Sequence, residues 1–122
     1  MLVATLAVYF GMQLTKTDCK KAFLYPQLHP DDHVYIQLPE AYMHTITGHP
    51  PKRIYWKLNK TLYGLPQSPE AFYRDVSSHL LSHGYLRSSA DPCLFYRRGL
   101  NGEMTLICVH VDDFAIVQTT NR

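Results

Sequence analysis

Residues 106–117 read LICVHVDDFAIV, in which two adjacent aspartates separate two apolar runs. Apolar runs of this length, rich in β-branched residues and divided by a short polar break, predict a β-hairpin. A two-residue turn usually takes Asn-Gly or Asp-Gly, so a tip formed by Asp112 and Asp113 is unusual. Adjacent carboxylates repel each other and must be solvated or neutralised. The stretch therefore predicts either an ordinary solvated turn or a site for a divalent cation.

Asp18 offers a third carboxylate at the end of another predicted strand. It follows residues 12–17, which alternate in part between apolar and polar side chains. If Asp18 lies beside the hairpin tip, the three carboxylates form a cluster that can hold two metal ions for phosphoryl transfer. Sequence spacing does not bring Asp18 to Asp112, so the cluster is a hypothesis about the tertiary structure.

The bulk composition predicts one globular domain. The chain has 122 residues, 46% of them hydrophobic, and a net charge of +2. Its seven histidines show no HExxH spacing, and its three cysteines form no CxxC pair, which argues against a zinc site. An odd number of widely spaced cysteines is typical of free thiols in a reducing compartment. The apolar residues 1–12 are too few to cross a bilayer.

The positive charges are unevenly distributed. Residues 41–69 contain no acid but include Lys52, Arg53, Lys57 and Lys60. Such a basic segment could contact a phosphate backbone. It could equally be a solvated basic surface.

Hydrophobic periodicity predicts an α+β fold. The best-marked helix begins near Ser68, as N-cap, with Pro69 and Glu70 in its first turn, and ends at Gly84. Its apolar stripe consists of Phe72, Val76 and Leu80. The other predicted elements are a helix over 3–10 ended by Gly11, strands over 33–38, 53–58, 93–96, 104–111 and 114–118, and loops over 26–32, 44–51 and 87–92. This order favours helices packed on one face of an antiparallel sheet.

Several segments, taken together and in order, resemble the reverse transcriptase of copia-type LTR retrotransposons. They are TDCKKAFL (17–24), VYIQLPEAY (34–42), LYGLPQSP (62–69), SADPCLF (89–95) and HVDD (110–113). The resemblance covers nearly the whole chain. It implies the palm region of a Pol polyprotein, a partial right-hand reverse transcriptase fold, and RNA-directed DNA polymerase activity.

The resemblance assigns catalysis and metal binding to the three aspartates. Asp18 and Asp112 would bridge two Mg²⁺ ions, with Mn²⁺ as a substitute, and Asp113 would support one of them. The metals would lower the pKa of the primer 3′-hydroxyl and neutralise charge on the α-phosphate and on the leaving pyrophosphate. A metal-dependent nuclease or phosphatase with the same carboxylates is a weaker alternative.

The resemblance also implies a nucleotide-binding set, namely Cys19, Phe23 and Gln67. Phe23 would lie under the incoming sugar and exclude a 2′-hydroxyl, although its position also suits an ordinary core aromatic. Gln67 would line the nucleotide pocket, or it is simply a polar residue near a helix cap. Cys19 would face the triphosphate with its backbone. Lys20 and Lys21 could face the nucleotide or the solvent.

The chain departs from the family pattern at several positions. His110 stands where the family usually has a tyrosine that sits against the primer end, so the resemblance implies a primer-positioning role for His110. Thr17 replaces an apolar residue, Pro66 replaces lysine, and Tyr25 with Pro26 replaces an Asn-Gly turn.

The resemblance further implies that residues 1–122 are a partial domain, the palm with part of the fingers. The remaining fingers would lie upstream, and the thumb and RNase H would lie downstream. The implied partners are an RNA or DNA template with its primer, dNTPs, and the rest of the Pol polyprotein, including integrase and RNase H, with no membrane. The expected location is a cytoplasmic virus-like particle or the nucleus. We expect no processive polymerisation by the isolated chain, and a non-catalytic retrotransposon remnant is the alternative function.

Overall fold

The computed structural model describes residues 2–47 and 53–119. In chain order the elements are α1 (Leu2–Tyr9), β1 (Gln13–Asp18), a 3₁₀ turn (Ala22–Leu24), β2 (Tyr35–Gln37), α2 (Glu40–Thr47), β3 (Tyr55–Lys57), α3 (Ser68–Ser82), β4 (Leu86–Arg87), β5 (Leu94–Arg98), β6 (Met104–His110) and β7 (Asp113–Gln118). The α+β class with antiparallel pairing is confirmed. None of the helices in the described part of the chain has the length and apolar composition needed to cross a bilayer.

The strands form two antiparallel sheets. The large sheet has the order β1-β7-β6-β5-β4, and the small sheet pairs β2 with β3. The predicted hairpin, β6 with β7, lies at the centre of the large sheet. Strand β1 pairs with the outer side of β7, which places a segment from the start of the chain beside one from its end.

Helix α1 packs on one face of the large sheet. Val3 and Ala7 are buried against Val117 of β7, and Met12, Leu94, Leu106 and Cys108 surround this cluster. The helix ends near Gly11, whose φ of 59° is the left-handed conformation in which glycine carries no steric penalty. The predicted helix over 3–10 is therefore confirmed.

Helix α3 packs on the opposite face. Phe95, Ile107 and Val109 form a buried cluster, against which Tyr73, Val76 and Leu80 of the helix pack. The expectation that the helices share one face is wrong. The reason is that β5, β6 and β7 place apolar side chains alternately on both faces, and each apolar face needs its own cover.

The start of α3 also differs from the prediction. Gln67, and not Ser68, occupies the N-cap position, and no side chain caps the helix. The buried Ser68 hydroxyl instead donates a hydrogen bond of 2.5 Å to the carbonyl of Leu62. Ser68 is therefore the first residue of the helix and not its cap, and its side chain holds the preceding loop through the bond to Leu62.

The segments at residues 33–58 and 86–87 also differ from the prediction. Residues 40–47 form α2, so the predicted loop over 44–51 begins as helix, and residues 48–51 of that loop lie outside the described residues. Pro39 followed by Glu40 in the first turn is a helix-start signal that the sequence analysis missed. The strands over 33–38 and 53–58 are confirmed but shorter. Arg87, the first residue of the predicted loop over 87–92, belongs with Leu86 to strand β4.

Candidate active site

Strand pairing brings Asp18 beside the acidic hairpin. Asp18 pairs with Asp113 across β1 and β7, and Asp113 pairs in turn with His110 across β7 and β6. Directly paired residues have Cα atoms about 4.5–5.5 Å apart and side chains on the same face of the sheet. Two aspartates and a histidine therefore lie in one row at one end of three adjacent strands.

The tip of the hairpin is shifted by one residue from the prediction. Val111 and Asp112 are the turn residues, whereas Asp113 already belongs to β7. The expected tip formed by Asp112 and Asp113 is therefore wrong. Val111 has a φ of 57°, which strains a β-branched residue. The pairing of Asp113 with both neighbouring strands explains why this strain is tolerated, because that pairing leaves only Val111 and Asp112 to turn the chain.

Asp112 is held to the same end of β1 by its backbone. Its carbonyl accepts a hydrogen bond of 3.0 Å from the amide of Cys19, the residue after Asp18. The Cys19 carbonyl accepts a bond of 3.2 Å from the Ala22 amide, which begins the turn that follows. The Cys19 amide is thus bonded within the protein, and a contact between Cys19 and a nucleotide stays a prediction.

Lys16 is a member of the site that the sequence analysis missed. Its Nζ lies 3.2 Å from Oδ2 of Asp113, and the two side chains are 73% and 40% exposed. Lys16 precedes Asp18 by two residues on β1, so both side chains occupy the same face. The two-residue spacing between Lys16 and Asp18 was the signal in the sequence that could have identified this lysine. In the protein the lysine partly neutralises the acidic row.

The thiol of Cys19 reports the negative charge at this end of the sheet. Burial is the main cause that raises the pKa of the Cys19 thiol above its ordinary value, and the charges of Asp18 and Asp112 raise it further. Cys19 follows Asp18 in the chain and its amide bonds to the Asp112 carbonyl, so its thiol belongs to the same end of the sheet.

The three aspartates lie near one another, but their side chains do not form a preorganised metal site. Within residues 2–47 and 53–119, no three side chains of His, Cys, Asp or Glu converge as metal ligands. Backbone pairing gathers Asp18, Asp112 and Asp113 at one place, and their oxygen atoms are the donors that Mg²⁺ prefers. Their catalytic and metal-binding roles stay predictions.

Phe23 lies in a chain of aromatic contacts. Its ring centroid is 5.1 Å from that of Tyr63 and 5.9 Å from that of Phe72, and Phe72 is 6.3 Å from Phe114 of β7. The Thr61 hydroxyl donates a bond of 2.6 Å to the Phe23 carbonyl. Phe23 is only partly buried, so it contacts the core and keeps some exposed surface. A role as the sugar gate stays a prediction.

Gln67 lies at the start of α3 and lines a separate cleft with His29, Asp32 and Arg74. Its Oε1 is buried and has no hydrogen-bond partner among the described residues. A buried acceptor without a donor is destabilising, so this atom is suited to accept a bond from a ligand. The predicted role in nucleotide binding is compatible with this position but untested by it.

The block around Asp91 has a structural role. The Asp91 carboxylate accepts a bond of 2.8 Å from the Cys93 amide, and its carbonyl accepts one of 3.1 Å from the Leu94 amide. Both bonds stabilise the turn that leads into β5. This aspartate therefore shapes the large sheet and does not join the acidic row.

Comparisons with known proteins agree with this arrangement of blocks. The sequence profile of the family described as "Reverse transcriptase (RNA-dependent DNA polymerase)" matches residues 1–122. No solved structure matches the chain.

Three retrovirus-related Pol polyproteins match the chain over 94% of its length. The protein from transposon TNT 1-94 of Nicotiana tabacum is 32% identical over 115 residues. Those from transposons RE1 and RE2 of Arabidopsis thaliana are 34% and 31% identical over 116 residues each. The chain spans only 8%, 7% and 7% of the lengths of these relatives. The chain as a whole belongs to the reverse transcriptase (RNA-dependent DNA polymerase) family, and its relatives are copia-type Pol polyproteins of plant retrotransposons.

Proposed function

We propose that this chain is the palm segment of an RNA-directed DNA polymerase. In the complete enzyme it would add dNTPs to a primer 3′-hydroxyl, copying an RNA or DNA template during retrotransposition. The segment would act within a longer Pol polyprotein that also carries integrase and RNase H. Membership of the family supports the class of reaction. The observation that carries the assignment to this site is the direct pairing of Asp18 with Asp113, next to Asp112.

Asp18, Asp112 and Asp113 would hold a pair of magnesium ions through their hard carboxylate oxygens. Strand pairing positions Asp18 and Asp113, and the backbone bond from the Cys19 amide positions Asp112. Exposed side chains change rotamer readily, whereas the backbone of paired strands keeps its position. When bound, such ions supply Lewis-acid stabilisation of the attacking and leaving oxygens in an in-line displacement.

The other residues of the site would position the substrates. Lys16 would hold Asp113 in place and reduce repulsion within the acidic row. Phe23, braced by Tyr63 and Phe72, would present a fixed ring edge to the sugar of the incoming nucleotide. Gln67 would accept a bond from the nucleotide at its orphaned Oε1. His110, in the row with Asp113, would face the primer end.

A cation titration tests the site on the chain itself. We expect Mn²⁺ binding, followed by electron paramagnetic resonance, to weaken at least about tenfold in Asp18→Asn, because a carboxylate ligand is lost. Asp31→Asn is the matched control, since Asp31 is an exposed loop aspartate whose partner is His29. Equal Mn²⁺ affinity in Asp18→Asn and the unaltered chain would overturn the shared site.

Primer extension tests the activity. In the Pol polyprotein that carries this segment, Asp112→Asn should lower the extension rate by about a hundredfold or more, the scale seen when one electrostatic contact to the transition state is removed. Undiminished extension by the Asp112→Asn enzyme would refute the assignment.

A non-catalytic remnant is the competing proposal. Its support is the contact between Lys16 and Asp113, which occupies one carboxylate with an internal cation. Such a chain would bind Mn²⁺ weakly and with no dependence on Asp18. The same titration therefore separates the two proposals.

A further inference from the structure

The small sheet has one face made of aromatic and cationic side chains. Tyr35 pairs with Lys57 and Gln37 pairs with Tyr55, and these four residues define the outer face. Paired residues, and residues two apart on one strand, share a face of the sheet. All four side chains are exposed, with Tyr35 at 56% and Tyr55 at 52%. Two tyrosine rings thus lie diagonally on one surface with a lysine and an amide between them.

The opposite face of the small sheet is only lightly packed. It carries Ile36, which is partly buried, opposite Trp56, which is 51% exposed. Two bonds extend the pairing beyond the strands, from the Leu38 amide to the Ile54 carbonyl and from the Leu58 amide to the Val34 carbonyl. Leu38 is buried, whereas no residue of the outer face is. The tyrosines of the outer face are therefore not needed for the core.

The outer face itself carries one positive charge and no acid. Arg53 and Lys60, both exposed, flank β3, and residues 41–69 contain no aspartate or glutamate. Lys57 and Lys60 line a cleft that also includes Asp32 and His29. Asp31 lies 3.4 Å from His29. Asp31 and Asp32 therefore balance Lys57 and Lys60 in and beside the cleft, whereas the four residues of the outer face include Lys57 and no carboxylate. The charge of this face complements a phosphate chain and opposes an acidic protein.

We propose that the outer face binds single-stranded nucleic acid, with bases stacked on Tyr35 and Tyr55 and phosphates near Lys57 and Arg53. Exposed rings on a sheet can stack only bases whose faces are free, which favours a single strand over a duplex. A patch with lysine and glutamine between its rings is less suited to an apolar protein partner. The inference deepens the proposed function, on which it rests, by giving the template strand a surface separate from the acidic row.

Titration with a short fluorescein-labelled oligothymidylate, without divalent cations, tests the proposal. We expect a Tyr35→Ala, Tyr55→Ala double variant to bind at least about tenfold more weakly, because two stacking contacts are lost. Lys57→Gln should reduce the slope of log affinity against log salt by about 0.7, the value for one phosphate contact on a single strand. Trp56 is the only tryptophan, so its fluorescence reports binding at this sheet independently of the label.

Two further variants separate stacking from loss of the fold. A Tyr35→Phe, Tyr55→Phe double variant keeps both rings and should keep the affinity. Tyr9→Ala removes a tyrosine that is 80% exposed on α1 and should leave binding unchanged. Each variant is compared with the unaltered chain by circular dichroism, so that an unfolded alanine variant is recognised by its spectrum. In that case Tyr35→Ala and Tyr55→Ala are tested singly.

Several outcomes would overturn the proposal. Unchanged affinity in the double alanine variant would exclude stacking on this face, and equal weakening by Tyr9→Ala would show a non-specific effect. Self-association that is lost in the alanine variant would identify a protein interface instead. The acidic row is tested with different residues and a different ligand, so failure of this surface leaves the result of the Mn²⁺ titration standing, and the reverse also holds.

Discussion

The large sheet and the small sheet are built in opposite ways. The large sheet is covered by α1 on one face and α3 on the other, and Phe95 and Val117 within it are fully buried. In the small sheet only Ile36 is even partly buried, and both strands have three residues. A two-stranded sheet is marginally stable by itself, whereas a packed sheet of several strands is rigid.

The difference matches what each sheet is proposed to hold. Carboxylates that share cations need positions fixed to a fraction of an ångström, which a sheet packed on both faces provides. A surface that stacks successive bases tolerates small displacements, because stacking is much less directional than metal coordination.

Truncation in the core of the large sheet should have the largest effect on stability. We expect Phe95→Ala to lower the free energy of unfolding by about 3–5 kcal/mol, the usual cost of removing a buried phenylalanine ring. Urea unfolding followed by circular dichroism measures this change. Ile36→Ala in the small sheet is the matched control and should cost less, since Ile36 is only partly buried. Equal costs at both sites would contradict the contrast between the sheets.

Hydrogen exchange should differ between the sheets. We expect peptides covering β6 to exchange at least about tenfold more slowly than those covering β2 and β3, because amides in thinly packed elements open locally without global unfolding. Exchange measured by mass spectrometry on the native chain gives both rates in one experiment. Similar protection of the two sheets would show that they unfold as one unit.

Removing Lys16 should have a small effect on folding and a visible one on cation binding. An exposed ion pair contributes about 0.2–1 kcal/mol, so Lys16→Ala should barely change the urea midpoint. Mn²⁺ should bind several-fold more tightly, because a competing cation leaves Asp113 and the negative potential rises. Lys20→Ala, which removes a like charge from the neighbouring turn, is the control. Equal gains in both variants would point to net charge alone.

The smallest expected effect is on the alkylation rate of the Cys19 thiol, which depends on the nearby negative charge. A raised pKa means less thiolate at a given pH, so Cys19 should alkylate slowly near pH 8. Asp112→Asn removes one cause of the raised pKa, and the rate with iodoacetamide should rise about two- to fivefold. Mass spectrometry resolves Cys19 from Cys93, which serves as the internal control. An equal change at both cysteines would argue against a local charge effect.

The same pKa shift has a consequence for stability. The pKa of the Cys19 thiol is higher in the folded chain than in the unfolded chain. As the pH increases, the unfolded chain therefore loses the thiol proton first. The contribution of Cys19 to stability is therefore intact below the ordinary pKa of a thiol and is lost as the pH rises through the folded value. Asp112→Asn should reduce this alkaline loss, which urea unfolding at increasing pH would measure.

Features that depend on neighbouring residues were predicted well. The apolar stripe of α3 and its stop at Gly84, α1 with its stop at Gly11, and the strands of the central hairpin are all present. Each follows from periodicity or from the conformational freedom of glycine. The acidic positions of the candidate site were also identified from the sequence, through the order of the blocks.

Features that depend on distant contacts were predicted poorly. Val111 takes a strained turn position because Asp113 is paired with Asp18, a constraint from the other end of the chain. Ser68 left its expected capping role for a bond to Leu62. The ion pair between Lys16 and Asp113 likewise depends on a pairing register that no local pattern specifies.

Local sequence patterns were enough to identify α1, α3, the strands of the central hairpin, the family and the acidic positions, whereas α2 and β4 were missed. The row formed by Asp18, Asp113 and His110 and the helical cover on both faces of the large sheet became evident from the three-dimensional fold alone. The physical reason is that local periodicity specifies how each element can be buried, whereas the partner and register of each strand depend on burying apolar side chains from all the elements at once.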